Sequence, residues 1–547
     1  MTGGSNKRRW DGETALVAWL AILVSIFSFL VYFRRSEILL YGDAVAHINI
    51  ARRVFDSLTP GPLQLGTVWL PLPHLLMIPF LLSDWLWQSG VGGSMPSMVA
   101  YVFGAIGIFR LLRGAVRAFS ASDMAAAMVP WLGVLIYAAN PNLIYLQTTA
   151  MTEPLYLALF IWAVVHFSEF VCSLGDRDVD KPATAVSSLT KSGLCLCGAC
   201  LTRYDGWFLA VMTCLAAGFV ILPAKRKIGA GFGRFVLLAA AAPALWLGYN
   251  AMIYRNPLEF ANGPYSAKAI EQKTSVAGSS PHPGARNLRV AASYFLKSAE
   301  LNLAAGNWGR MWLLLLVAGT FLASLLHPRT LPLLLLWTPL PFYALSIAYG
   351  SVPIFLPVWW PFSYYNTRYG IELLPAFAAF IPLAAYFVAK QIGKLQIKVT
   401  IAVAVVVLVV ASYATIWRDP VTLQEAFVNS RTRLALEKEV AAYLLALPPD
   451  STLLMYLGDH VGALQRAGIP LRRVINEGNH RVWVQPRDPD GLWERALADP
   501  ARYVDFVVAF EDDPVATEAA KQQLSTLAVI HVTGQPQATI YQTKRRR

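Results

Sequence analysis

Long apolar runs recur along the first 417 residues. Four runs of 19 or 20 residues carry no formal charge: 15–33, 206–224, 235–254 and 399–417. A helix in lipid satisfies its own backbone hydrogen bonds and needs about 20 apolar residues to cross the bilayer. Weaker runs follow the same pattern at about 97–112, 124–140, 154–170, 185–202, 310–326, 330–349 and 371–389. The pattern predicts about eleven membrane-spanning helices.

The apolar segment 68–82 is different because it contains three prolines. Counting it as a span would reverse the side of every later loop. We expect a short juxtamembrane or re-entrant helix on the outer side, which would form part of an outer loop at 34–96.

After residue 417 the pattern changes. Amphipathic stretches at 431–447 and 492–498 alternate with short apolar runs at 453–457, 506–510 and 528–532, separated by Pro, Gly and Asp. This alternation is typical of a small α/β domain. The predicted fold class is therefore a mainly α, polytopic membrane protein. A transmembrane domain at 1–417 would be followed by a soluble α/β domain at 418–547.

The distribution of charge sets the orientation. The chain is 56% hydrophobic and 14% charged, with a net charge of +13. Residues 418–547 hold 16 basic and 16 acidic residues, so the whole excess belongs to the membrane part. Basic residues collect in alternate loops, and short cytoplasmic loops retain positive charge. The excess therefore indicates an N-terminus inside and a C-terminal domain outside, and it gives no reason to expect nucleic-acid binding.

With this orientation, several ionisable residues fall at the outer face. Asp43 follows Gly42 and opens an amphipathic stretch, with His47 one helical turn later. Glu153 precedes a span, where a carboxylate also suits a helix N-terminus. An N-cap followed by an interfacial helix, with Arg52 and Arg53 facing lipid headgroups, is the structural alternative for the first segment, and a simple cap is the alternative for Glu153.

Two further motifs lie at the same face. Arg203, Tyr204 and Asp205 form a turn between two spans, where a local ion pair is the alternative. Arg368 and Tyr369 open a late span, where the arginine would otherwise only snorkel to the interface. Carboxylates beside arginines suit a chemistry in which an acid activates a hydroxyl while arginines hold an anionic leaving group.

The order of these motifs resembles the glycosyltransferase-C superfamily, especially the bacterial and archaeal relatives of protein O-mannosyltransferases and aminoarabinose transferases. The resemblance covers about residues 10–420. It implies that Asp43 is the general base that deprotonates the acceptor hydroxyl. It also implies that Arg203 and Arg368 bind the phosphate of a polyprenyl-phosphate sugar. Glu153 matches a position that contacts the acceptor or a divalent metal in some members.

The resemblance leaves open a divalent cation, Mg²⁺ or Mn²⁺. The first motif has one acid where many relatives have two, which weakens that expectation. His47 and His74 are additional candidates for acceptor contact, with packing as the alternative. The donor would arrive in the bilayer of the cytoplasmic membrane, with segment 68–82 helping to form a groove for its isoprenoid. The acceptor, whether protein, lipid or glycan, stays undetermined.

Two other functions remain open. A transporter or flippase of lipid-linked sugars would place ionisable groups near the bilayer midplane, often in paired repeats. In this sequence the ionisable groups fall at helix ends, and no repeat is visible. A non-catalytic membrane scaffold whose tail binds a partner is the third alternative.

Overall fold

The computed structural model describes residues 11–117, 124–175, 182–221, 229–274, 280–392, 395–458, 460–479 and 489–544. Helices make up most of the described chain before residue 415. They are α1 (Gly12–Arg34), α2 (Gly42–Arg53), α3 (Leu72–Leu81), α4 (Asp84–Gln88), α5 (Val91–Arg117), α6 (Met124–Ala138), α7 (Pro141–Leu146), α8 (Glu153–Gly175), α9 (Pro182–Cys200), α10 (Asp205–Ile221), α11 (Gly229–Tyr254), α12 (Glu259–Asn262), α13 (Ala267–Thr274), α14 (Leu288–Leu301), α15 (Asn307–Leu326), α16 (Pro339–Tyr349), α17 (Leu374–Ile392) and α18 (Leu395–Ala414). Short 3₁₀ helices add Pro62–Leu65, Pro328–Trp337 and Thr367–Leu373.

The predicted multi-pass membrane fold is confirmed, and each of the eleven predicted spans falls on a helix. By length and composition, eight helical segments of the described chain are able to cross a membrane: Gly12–Arg34, Val91–Arg117, Glu153–Leu174, Gly229–Tyr254, Asn307–Leu326, Pro328–Tyr349, Thr367–Gln391 and Gln396–Ala414. Two others, Ala125–Ala138 and Asp205–Ile221, are apolar but shorter. The last, α9, carries Lys191 and several hydroxyl side chains. The pattern of apolar runs therefore located the helices. Three of them, however, are too short or too polar to be identified as membrane spans by length and composition alone.

Helix α3 fits the expected short helix. It has ten residues, and at 1.5 Å per residue it is about 15 Å long, which is about half the hydrocarbon thickness. It packs against α2 and α5. It is therefore an accessory helix beside the bundle rather than a span.

The bundle interior is filled by aromatic and small residues. Helix α8 packs on α5 and α9, and α17 packs on α6 and α15. Trp312 is fully buried, and its ring stacks on Tyr413 with centroids 6.3 Å apart. Its indole N–H donates to the Ser412 hydroxyl at 2.8 Å, which satisfies the polar atom that burial would otherwise leave unpaired.

The 3₁₀ helix at Thr367–Leu373 is held in place from two sides. Asn366 begins it with φ of +56°, a left-handed conformation that asparagine tolerates well, and its side-chain amide donates to the Pro353 carbonyl at 2.9 Å. Gly370 lies so close to Ser298 and Ala299 of α14 that a Cβ would overlap their backbone. This close approach fixes the direction of the side chains on either side of Gly370.

The region after residue 418 contains the predicted α/β unit. Its helices are α19 (Val421–Leu445), α20 (Val461–Ala467), α21 (Leu492–Ala498), α22 (Pro500–Tyr503) and α23 (Pro514–Ala519), with 3₁₀ turns at Leu471–Arg473 and Glu477–Asn479. Its strands are β1 (Leu453–Met455), β2 (Val474–Ile475), β3 (Phe506–Phe510), β4 (Ser525–Ile530) and β5 (Ala538–Gln542), in the order β2-β1-β3-β5-β4. The first three are parallel, and β5 pairs antiparallel with β3 and β4.

The parallel strands are buried because both faces of that part of the sheet are covered. Leu454 pairs with Val507 at the centre of the sheet, and both are at most 1% exposed. Continuous apolar runs such as 506–510 are typical of strands buried on both faces. The edge strand β4 is mostly exposed. The three apolar runs of the sequence mark β1, β3 and β4, whereas β2 and β5 were not predicted.

Candidate functional site

Four distant chain segments meet at one end of the helix bundle. Asp43 lies in the first turn of α2, and Glu153 is the first residue of α8. Arg203 occupies the turn between α9 and α10, and Arg368 lies in the 3₁₀ helix that leads into α17. Each of these positions is a helix end, where the chain leaves the apolar interior and a charged side chain costs least.

Arg368 binds three carboxylates. Its Nη2 donates to Asp43 Oδ2 at 2.6 Å and its Nε to Glu153 Oε1 at 3.1 Å. Its Nη1 donates to Glu425 Oε1 at 2.5 Å. The Arg368 side chain is only 8% exposed. These contacts join residues 325 positions apart in the sequence.

Arg203 binds a second, deeper group of acceptors. Its Nε donates to Asp205 Oδ2 at 3.1 Å, so the local ion pair is present. Nη1 donates to the Thr152 hydroxyl at 3.1 Å and to Glu153 Oε1 at 3.2 Å, and Nη2 donates to the Tyr343 hydroxyl at 2.8 Å. Nη2 also lies 3.1 Å from an oxygen of Glu372.

Tyr369 and Glu153 connect the two arginines. The guanidinium carbons of Arg203 and Arg368 lie 5.0 and 5.1 Å from the Tyr369 ring centroid, within the range of a cation–π contact. The same oxygen of Glu153 accepts from both arginines. The two guanidinium groups, their carboxylates and Tyr369 therefore form one continuous polar centre.

Asp43 is the accessible acid of this centre. Its side chain is 41% exposed, whereas those of Glu153, Glu425, Asp205 and Glu372 are between 0 and 2% exposed. Only one of its oxygens contacts Arg368. Asp43 is thus the carboxylate of this group that a reacting hydroxyl can approach.

The two arginines also differ in how many of their N–H groups are not already hydrogen-bonded within the protein. A guanidinium carries five N–H donors. Arg203 donates four side-chain hydrogen bonds, and with the Glu372 oxygen it has five acceptor oxygens within 3.2 Å for its five N–H groups. Arg368 makes three side-chain hydrogen bonds to described residues, which leaves two N–H groups for another acceptor.

His47 and His74 contact each other beside this centre. Their Nδ1 and Nε2 atoms are 2.9 Å apart, and the His47 ring packs on Trp69. Burial lowers the pKa of His47 to about 3, with Arg368 and Arg203 adding to the effect. Burial also holds the pKa of His74 well below its usual value. Both imidazoles are therefore neutral at ordinary pH, which favours packing over proton transfer.

Two other sequence-predicted features lie elsewhere. The Tyr204 hydroxyl donates to the Val68 carbonyl at 2.9 Å, and its ring stacks on Phe260, so it supports the outer loop. Arg52 does not face lipid headgroups as the structural alternative for α2 assumed. It is 3% exposed, and its Nε and Nη2 donate to Asp56 and Asp84. Burial of this arginine anchors α2 to the segment after α3.

The sequence did not assign three members of the centre. Glu372 was visible as the next charge after Arg368 but received no role. Tyr343 lies inside an apolar span, where one hydroxyl gives no signal; it donates to Glu372 at 2.7 Å. Glu425 belongs to α19, beyond the predicted membrane domain, in a stretch where acids and bases balance. Only its position shortly after the last span distinguishes it.

The described residues do not form a ready metal site. Five carboxylates face two guanidinium groups, an excess that a divalent cation would offset. Within the described ranges, however, no three His, Cys, Asp or Glu side chains are arranged to hold a metal ion. Asp43, Glu153 and Glu425 each have one oxygen that already accepts a hydrogen bond from Arg368. We derive no step through a metal, and the divalent cation stays a prediction.

The fold defines the class of protein. The chain is a multi-pass membrane protein with the glycosyltransferase-C fold that its sequence resembles. Among solved structures, it is similar to the aminoarabinose transferase ArnT from Cupriavidus metallidurans bound to undecaprenyl phosphate. The TM-score is 0.53 at 15% identity, over 97% of this chain and 98% of that chain. The apo state of that protein gives 0.53 at 14% identity, over 97% of each chain.

A weaker likeness is to the apo oligosaccharyltransferase of Archaeoglobus fulgidus. The TM-score is 0.46 at 12% identity, over 92% of this chain and 70% of that one. No protein-family model and no curated protein sequence matches the chain.

Proposed function

We propose that the chain is an inverting glycosyltransferase of the cytoplasmic membrane. It moves a sugar from a polyprenyl-phosphate donor to an acceptor hydroxyl on the extracytoplasmic face. The observation that carries this proposal is the Asp43–Arg368 pair, an accessible carboxylate 2.6 Å from an arginine that retains free donors. The glycosyltransferase-C fold and the undecaprenyl phosphate bound to ArnT support the donor class.

The proposed reaction uses the two members of the pair in different ways. The acceptor oxygen attacks the anomeric carbon while the bond from that carbon to the phosphate oxygen breaks. The phosphate leaves with the bonding electrons, and the hydroxyl proton passes to Asp43. A positioned base typically contributes about 10²–10⁴-fold to the rate. Arg368 stabilises the negative charge that develops on the leaving phosphate, as preorganised cations do at such positions.

The free N–H groups favour Arg368 over Arg203 as the ligand of the donor phosphate. A phosphate at Arg203 would have to displace a buried carboxylate, whereas Arg368 has two donors to offer. In this proposal Arg203 holds the buried acids and, through Tyr369, the position of Arg368. Leu75, Leu76 and Leu82, at α3 and its end, are 39 to 64% exposed, and they supply an apolar surface for the isoprenoid.

Replacing Asp43 by Asn tests the proposal. This change keeps the shape of the side chain but removes the base, so transfer should fall by about 10³-fold or more, while polyprenyl-phosphate binding and the folded state persist. Transfer is measured with purified protein, a labelled polyprenyl-phosphate sugar and a membrane extract as acceptor source.

The matched control is Asp450→Asn, which removes an exposed carboxylate from the loop after α19. It should leave transfer close to that of the unaltered protein. Normal turnover in the Asp43→Asn protein would refute the assignment of the base. Movement of the labelled lipid across vesicles with no glycosylated product would instead favour a flippase.

A further inference from the structure

Helix α19 follows the last span, yet it supplies part of the polar centre. Glu425 lies in its first two turns and is 1% exposed. Its carboxylate accepts from Arg368 Nη1 at 2.5 Å, from the Arg368 backbone N–H at 3.3 Å and from the Thr367 hydroxyl. One carboxylate thus holds both the backbone and the side chain of the segment that presents Arg368.

The same helix also holds the segment that leads to Asp43. Arg433 Nη2 donates to the carbonyls of Leu39 and Leu40 at 3.1 and 2.9 Å. The Tyr41 hydroxyl donates to the Thr422 carbonyl at 2.8 Å. These contacts lie two to four residues before Asp43, on the stretch that sets where α2 begins.

A third contact fixes α19 on the bundle. The Thr422 backbone N–H and its hydroxyl both donate to the side-chain oxygen of Asn142 at 3.0 Å. Asn142 lies in α7, fully buried. Helix α19 is therefore attached to the bundle independently of its contacts with Arg368 and with the segment before Asp43, so it can serve as a fixed reference for both.

We propose that Glu425 is a positioning residue that sets Arg368 against Asp43, with α19 as the rigid element that spans both sides of the pair. The inference rests on the proposed function. Glu425 competes with Asp43 for the same guanidinium, and its charge limits how strongly Arg368 stabilises ionised Asp43. It therefore influences both the geometry of the pair and the protonation of the base.

Two substitutions separate these two effects. Glu425→Asp keeps the charge but withdraws it by one methylene, so kcat should fall about ten-fold with the acid limb of the pH–rate profile unchanged. Glu425→Gln removes the charge. Ionised Asp43 is then favoured, and the acid limb should move to lower pH by about half a unit, together with a loss in kcat.

The control is Glu439→Gln, which removes the same charge from an exposed position on the same helix. It should leave kcat, KM and the pH profile as they are in the unaltered protein. Thermal unfolding of each variant, with and without polyprenyl phosphate, shows whether it is folded and binds the lipid. If Glu425→Gln does not fold, the Glu425→Asp protein still tests the loss in kcat.

The inference is overturned if folded Glu425 variants keep kcat and the acid limb of the unaltered protein. It is equally overturned if Glu425→Asp and Glu425→Gln lose activity only in proportion to lost folded protein. Normal turnover in the Asp43→Asn protein would instead remove the proposed function. The two failures are therefore distinguishable.

Discussion

The two arginines of the polar centre have similar surroundings but differ in how many N–H donors they have left for a ligand. Arg203 and Arg368 each contact Tyr369, and each donates to the same oxygen of Glu153. Arg203 has five acceptors for five N–H groups, and the acids around it are buried. Arg368 has three acceptors, one of which is the accessible Asp43. Five acceptors for five N–H groups suit a structural role for Arg203, whereas spare donors beside an accessible acid suit the phosphate-binding role that we propose for Arg368.

Replacing each arginine by lysine should give the largest difference between the two positions. A lysine ammonium carries three N–H donors. At position 203 it leaves at least two acceptors unpaired, and weakening a buried ion pair should lower the free energy of unfolding by about 3 kcal/mol. At position 368 three donors can still meet three acceptors, but none remains for a phosphate. Chemical unfolding of the purified proteins measures the first effect.

The Arg368→Lys protein is the matched control for stability. Its thermal midpoint should stay within a few degrees of that of the unaltered protein, while kcat/KM falls about 100-fold, or about 2.7 kcal/mol. Equal losses of stability in the two lysine variants would show that the number of acceptors around each guanidinium does not distinguish the role of Arg203 from that of Arg368.

Tyr369 offers a test of how far the two arginines depend on each other. Tyr369→Leu removes two cation–π contacts worth about 0.5–2 kcal/mol each. The expected result is a lower thermal midpoint together with a several-fold loss of transfer, because both guanidinium groups lose a ring face. Tyr369→Phe keeps the ring and should behave almost normally. A leucine variant with unchanged stability and rate would contradict the role of the ring.

The smallest expected effect is a pH dependence of stability from His47. Burial, with a contribution from both arginines, lowers its pKa to about 3 in the folded state, against about 6.5 when unfolded. Below pH 6.5 the unfolded chain takes up a proton that the folded chain refuses, so stability falls with falling pH. The expected loss is about 1 kcal/mol by pH 5.5.

Thermal midpoints between pH 7.5 and 5.5 measure this slope. His47→Asn should make the slope shallower and leave the part that comes from His74, whereas His531→Asn, at an exposed position in the C-terminal region, should leave the slope unchanged. An unchanged slope in the His47 variant would show that its imidazole is not the group that resists protonation.

The helical segments could be predicted from the sequence because uncharged apolar runs near 20 residues long are typical of membrane spans and rare in soluble domains. The sequence also pointed to Asp43, Glu153, Arg203 and Arg368, because a charge beside a membrane segment is conspicuous in a chain with only 14% charged residues. All four lie in one polar centre. Their separate roles depend on how many acceptors surround each arginine, which spacing along the chain does not encode.

Glu425 shows the opposite case. In the stretch after residue 417 acids are common, so one more carboxylate has no contrast with its neighbours. Its importance arises from tertiary packing that turns α19 back onto the bundle. Tyr343 is similar, since a tyrosine in an apolar span is ordinarily a packing residue until its hydroxyl is seen to meet Glu372 and Arg203.

Helix α19 also limits how the chain can be divided. The composition changes at residue 418, and cutting there would separate an apolar membrane part from a polar C-terminal part. Such a cut would take Glu425 from Arg368 and Arg433 from the stretch before Asp43. Exchange of C-terminal domains between related chains would therefore have to leave α19 with its own bundle and make the junction after Leu445, where the helix ends.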